Sequence, residues 1–145
     1  MHKLLFTMEL ANSQKLIYGN LQLIYPSGET ITYLATSGLP DYQRPGDQWV
    51  RGKGPIPAGD YQVSTQGYEL ETRGVEGLFF HITPDPVIGS DGKVRSELGV
   101  HFDANVPGTS GCIGLDTEVG WAGYCRRMKN IASLGIAKLP LKVKY

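Results

Sequence analysis

The sequence predicts a mainly β fold with one principal helix. Apolar residues alternate in short runs near both ends, as in Leu4, Phe6, Met8 and Leu10 and again in Leu141, Val143 and Tyr145. A period of two places such residues on one face of a strand. The 19 glycines and 9 prolines are scattered between runs of this kind, where Gly supplies positive φ and Pro a fixed φ for turns. Helical periodicity is convincing only after Leu115.

Taken in order, residues 4–10 read as a half-buried strand. Residues 14–25 continue the alternation through Ile17, Leu21, Leu23 and Tyr25, with a break at Gly19-Asn20. Pro26-Ser27-Gly28-Glu29 is a turn and 30–36 the returning strand, so 20–36 form a hairpin. The irregular stretch 37–56 carries Tyr42 and Trp49 without periodicity. Loops of this length are usually functional or mobile, so two readings stand: one wall of a substrate cleft, or a surface loop pinned by two aromatics. Short strands follow near 60–65 and 78–83, then a polar loop over 84–96 and a strand over 98–102. The helix is capped by Asp116 or Thr117, buries a face of Trp121, Cys125, Met128 and Ala132, and stops at Gly135. The count is about eight strands and one helix in a single domain, 1–145, with no repeat or linker.

Fourteen basic and fourteen acidic side chains cancel, so no overall field would attract nucleic acid or an anionic membrane. Arg126, Arg127 and Lys129 read as a solvated helix face. No apolar run approaches the ~18 residues of a membrane span, and the N-terminal stretch, broken by Thr7 and Glu9, lacks the features of a signal peptide. Two cysteines, Cys112 and Cys125, are too few for a disulfide framework, although a bond between them stays open. The three histidines and two cysteines show no paired metal-ligand spacing. Neither a metal nor another cofactor is expected.

Chemistry concentrates in residues 99–115. His101 ends a strand, a turn-forming segment with Asn105, Pro107 and Gly108 follows, and the small residues Thr109, Ser110, Gly111 and Gly114 surround Cys112. A nucleophilic cysteine acts as its thiolate, so its pKa of ~8.5 must be brought down by an imidazolium or a helix N-terminus. Glycine beside it lets a substrate backbone approach and frees N–H groups for an oxyanion; the amides of Gly111 and Cys112 are the expected donors. A loop of eleven residues can return His101 to the sulfur as a general base. Cys125 reads as a small hydrophobe on a helix face. His81 either lines the same cleft or is satisfied on its strand, the second reading being favoured. Papain-like enzymes place the histidine after the cysteine, whereas here every histidine precedes both cysteines.

The segment resembles the active-site signature of the L,D-transpeptidase catalytic domain (the YkuD-like family), in which a histidine precedes a Ser/Thr-His-Gly-Cys element. The stretch Lys53-Gly54-Pro55-Ile56-Pro57-Ala58-Gly59-Asp60-Tyr61 is similar to a strand entry of such domains, small phage-borne and effector relatives included. The resemblance covers about residues 53–115. It implies a β-sandwich, Cys112 as nucleophile, His101 as base, and the Ser110-Gly111-Cys112 turn as the oxyanion region. It also implies action on peptidoglycan stem peptides through a thioester. Two positions depart from the pattern: Ser110 stands where the family usually has His, and Gly114 where an Arg commonly follows the cysteine. These departures motivate a competing reading, a non-catalytic cell-wall-binding or structural module, for example of a phage particle. Without a signal peptide, the expectation is a phage-encoded or injected protein that reaches the periplasm or cell wall by another route.

Overall fold

The computed structural model describes residues 1–71, 77–104 and 106–145. The turn residue Asn105 lies outside them. The described residues form eleven strands: β1 (Lys3–Thr7), β2 (Gly19–Ile24), β3 (Thr30–Ser37), β4 (Gly59–Ser64), β5 (Tyr68–Leu70), β6 (Gly77–Thr83), β7 (Val87–Ile88), β8 (Val94–Arg95), β9 (Gly99–Phe102), β10 (Ile113–Leu115) and β11 (Lys138–Lys144). The helix α1 spans Glu118–Ser133.

Neighbouring strands run β4-β11-β1-β2-β3-β10-β9-β6, and β6 pairs back to β4 through Gln62 with Thr83 and Val63 with Ile82. The main sheet therefore closes on itself as a barrel. β5 adds to β6, while β7 and β8 form a separate hairpin inside the stretch expected to be a plain polar loop.

Register explains the core. Cross-strand partners project to the same face, and Leu4 pairs with Leu23 and Leu141, Phe6 with Leu21 and Val143, and Val100 with Phe80 and Ile113. All of these are buried on the inner face. Each such side chain contributes about 1.5–3 kcal/mol when fully removed from water.

The helix packs onto this interior, with Tyr124 edge-on to Tyr33 and Phe80. Thr117 caps it, its hydroxyl accepting the Gly120 N–H at 3.0 Å. Its buried face is Gly123, Tyr124, Met128 and Ile131; of the expected Trp121, Cys125, Met128 and Ala132, Met128 is buried and the face is rotated from the other three. Trp121 and Cys125 are only half-buried, because Tyr124 takes the central place beneath the two aromatic strand residues. Other differences are local. β1 ends at Thr7, and Met8 stays buried beside Gln43, whose amide also satisfies the Ile17 backbone where a strand was expected. A short strand, β10, stands between Cys112 and the helix where none was expected.

Candidate active site

β9 and β10 run parallel, pairing Val100 with Ile113 and His101 with Gly114. Val100 and Ile113 enter the barrel. His101 and Gly114 therefore face outward, and Cys112, two residues before Gly114, falls on that same outer side. Register thus sets His101 and the residue preceding β10, Cys112, on neighbouring chain segments, although His101 does not line the cleft onto which Cys112 opens. Both are nevertheless buried, at 3% and 9% exposure.

The imidazole is oriented from two directions. Nδ1 lies 2.9 Å from the Phe102 carbonyl, a contact that needs a proton on Nδ1 and leaves Nε2 as the basic nitrogen. The Phe79 ring stacks on the imidazole at 6.3 Å between centroids and 16° between planes. Phe79 also lies over Gly99, where a β-carbon would meet the ring at 2.2 Å. Nε2 is buried with no hydrogen-bond partner among the described residues, so it is not bonded to the sulfur in this resting geometry. Burial lowers the His101 pKa, an effect the Phe102 carbonyl and Asp103 oppose.

The cysteine turn is held by hydroxyls. Thr109 Oγ1 donates to the Cys112 carbonyl at 2.5 Å and accepts the N–H groups of Gly38 and Gly111 at 3.1 and 3.2 Å. Ser37 Oγ donates to the Gly111 carbonyl at 3.1 Å and accepts the Ile56 N–H at 2.9 Å. With the Gly111 amide engaged by Thr109, the Cys112 N–H is left as the candidate oxyanion donor. Gly111 has φ +137°, and a β-carbon there would stand 2.2 Å from Arg95 Nη2; both facts require glycine. At Gly114 a β-carbon would meet Thr109 Cγ2 at 2.9 Å and Asp103 Cβ at 3.0 Å. The position where the resembled family carries arginine is walled in here.

Burial pushes the Cys112 thiol up to about 11, partly offset by the Gly99 amide and Arg95. This differs from the expected low-pKa thiolate. β10 and two further residues separate the sulfur from the helix N-terminus, and burial biases the His101 imidazole towards its neutral form. The resting pair is thiol and neutral imidazole. The Cys112 Sγ lies 3.6 Å from the Glu97 carbonyl oxygen and opens onto a cleft of about 160 Å³ lined by Arg51, Arg95, Ser96, Glu97, Ser110 and Cys112, among others.

The other expected cleft residues stand elsewhere. Tyr42 is covered by Lys53, whose ammonium lies 4.8 Å from the ring centroid. Trp49 packs against Gly89 of the β7–β8 hairpin. His81 pairs with Gly99 across β6 and β9 and shares their outer face, but its Nε2 lies 3.3 Å from the Asp85 carboxylate. None of the three lines the cleft at Cys112. Sequence reasoning missed Arg95, Phe79 and Ser37. Nothing in a polar loop sequence marks Arg95 as buried; Phe79 alternates with the core residue Phe80 and was legible as an outward aromatic. Both cysteines are free thiols, so the disulfide alternative is not realised. Among the described residues, no helix is long and apolar enough to cross a membrane.

Comparison with protein-family models, curated proteins and solved structures gives no match to this chain.

Proposed function

We propose that this chain is an L,D-transpeptidase-like cysteine acyltransferase acting on peptidoglycan stem peptides, with Cys112 as nucleophile and His101 as base. The observation that carries the reading is the imidazole's fixed tautomer. His101 presents an unpartnered, buried Nε2 on the strand beside the one that follows Cys112. A buried ring nitrogen with nothing to accept from costs stability, and proton transfer gives it a role. Of the fold that the resemblance implies, the mainly β character with one helix supports the reading, while the main sheet closes as a barrel.

In the proposed reaction His101 Nε2 takes the Cys112 proton as Sγ attacks the carbonyl of the third, diamino-acid residue of a tetrapeptide. The Cys112 N–H stabilises the resulting oxyanion. Collapse breaks the peptide bond, the imidazolium gives its proton to the departing D-Ala amine, and a thioester remains. An amine acceptor, deprotonated by His101, then forms a new peptide bond and regenerates the thiol; water in its place gives the free acid, an L,D-carboxypeptidase outcome. No cofactor enters either course. Such a substrate places the working protein in the periplasm or cell wall. Incubating wild type and Cys112→Ala with muropeptides, followed by mass spectrometry, tests the reading. Loss or exchange of terminal D-Ala with wild type alone is expected; identical traces sink it.

The second reading is a wall-binding module without turnover. It draws on the depth of Cys112 and on the Glu97 carbonyl lying over its sulfur. Binding of both proteins to peptidoglycan sacculi with no tetrapeptide consumed would favour it.

A further inference from the structure

Arg95 is 2% exposed, which is rare for a residue that stays charged. Its guanidinium donates to four carbonyls: Gln48 at 2.5 Å, Pro55 at 3.0 Å, Gly54 at 3.0 Å and Ser110 at 2.9 Å. None of these partners is an anion, and no carboxylate pairs with Arg95 among the described residues. A buried cation held only by neutral dipoles leaves positive potential in its surroundings. Cys112 lines the same cleft as Arg95. Nη2 also fills the space that a side chain at Gly111 would need, so the guanidinium abuts the cysteine turn directly.

We propose that Arg95 is the positioning residue of the Cys112 site. Its guanidinium pins the Ser110–Gly111–Cys112 turn to the 48–55 loop and supplies the buried positive charge against which the thiolate forms. The inference rests on the reading of Cys112 as a nucleophile. Other groups facing the sulfur divide by sign: Glu97 opposes the thiolate, the Gly99 amide favours it, and Arg51 lines the cleft as a second cation. Without Arg95, burial would act on the thiolate with only the Gly99 amide and an exposed cation to offset it.

The test is the second-order rate of Cys112 alkylation by iodoacetamide, a neutral reagent, across pH 7 to 10 in a Cys125→Ser background. An opposite charge nearby typically moves a pKa by about 1–3 units. Arg95→Met, verified as folded by circular dichroism, is therefore expected to slow alkylation by about tenfold or more at each pH below the midpoint, and Arg95→Lys to stay within about threefold of the parent. A merely structural clamp predicts the opposite sign, since a loosened turn exposes the thiol and speeds the reaction. Unchanged or faster alkylation of folded Arg95→Met overturns the proposal. Where Arg95→Met does not fold, Arg95→Lys decides: retention of the parent rate supports the proposal, and a tenfold change in either direction overturns it. The readout needs no peptidoglycan. If wild type consumes muropeptides while Arg95→Met alkylates normally, only this inference fails; if Cys112→Ala retains turnover, the functional reading fails.

Discussion

Cys112 and Cys125 are both free thiols whose pKa burial raises to about 11, yet their surroundings have little in common. Cys125 sits half-buried on α1 at the edge of the core, in an apolar groove with Leu78, Phe80 and Ala132. Cys112 sits in a turn outside the barrel, with a buried arginine, a buried histidine on the strand beside β10, and the Thr109 and Ser37 hydroxyls committed to holding the backbone. The difference teaches that a raised thiol pKa has no functional meaning by itself. Burial produces it at both places; what sets Cys112 apart is the buried arginine against its turn, on which its proposed role rests.

The largest separation between the two is expected in turnover. Cys112→Ala should reduce consumption of muropeptide tetrapeptides by at least about 10³-fold, while Cys125→Ala leaves it within about twofold. Equal losses would erase the distinction. His101→Gln, which keeps a polar side chain but removes the base, should cost about 10²–10⁴-fold in kcat. If that variant retains wild-type kcat, the proton goes elsewhere.

Backbone geometry gives the next effect. Gly111→Ala forces a side chain onto a residue at φ +137° and into Arg95 Nη2, at an expected cost of about 2–4 kcal/mol in denaturant unfolding. No comparable penalty attends Cys125→Ala on the helix.

The pH dependence of stability sharpens the comparison further. Cys112 is raised from 9.0 to about 11, so its neutral form contributes fully below about pH 9 and the contribution is lost as pH rises towards 11. His101 is lowered from 6.5, so its contribution is present above that value and lost as pH falls through the depressed one. Between about pH 8.5 and 10.5 the Tm of wild type should fall more steeply than that of Cys112→Ser, which cannot titrate there. Cys125→Ser should follow wild type more closely, since a half-exposed thiolate keeps part of its hydration. Parallel Tm curves for wild type and Cys112→Ser would show that burial of Cys112 is not felt. The smallest expected effect is the neutral-pH stability of Cys125→Ala, about 1 kcal/mol or less.

The amino-acid sequence by itself determined the mainly β character, the single helix with its Thr117 cap, and Cys112 and His101 as the candidates for chemistry. These rest on local signals: alternation over a few residues, a capping hydroxyl, and glycines crowding one thiol. It did not reveal β10 or the β7–β8 hairpin, because strands of two or three residues hardly establish a period. The buried helix face was legible at Met128 but not at its aromatic centre, for a related reason. Trp121 and Tyr124 are both aromatic, and only the positions of Tyr33 and Phe80 on distant strands choose between them. Tertiary structure alone decided the closure of the sheet through β4 and β6, the outward placement of His101 with Cys112, and the burial of Arg95 beside them. Each depends on pairing register or on carbonyls tens of residues away in the chain. Register settles which of two faces a side chain occupies, and at His101 that choice separates core packing from a candidate site.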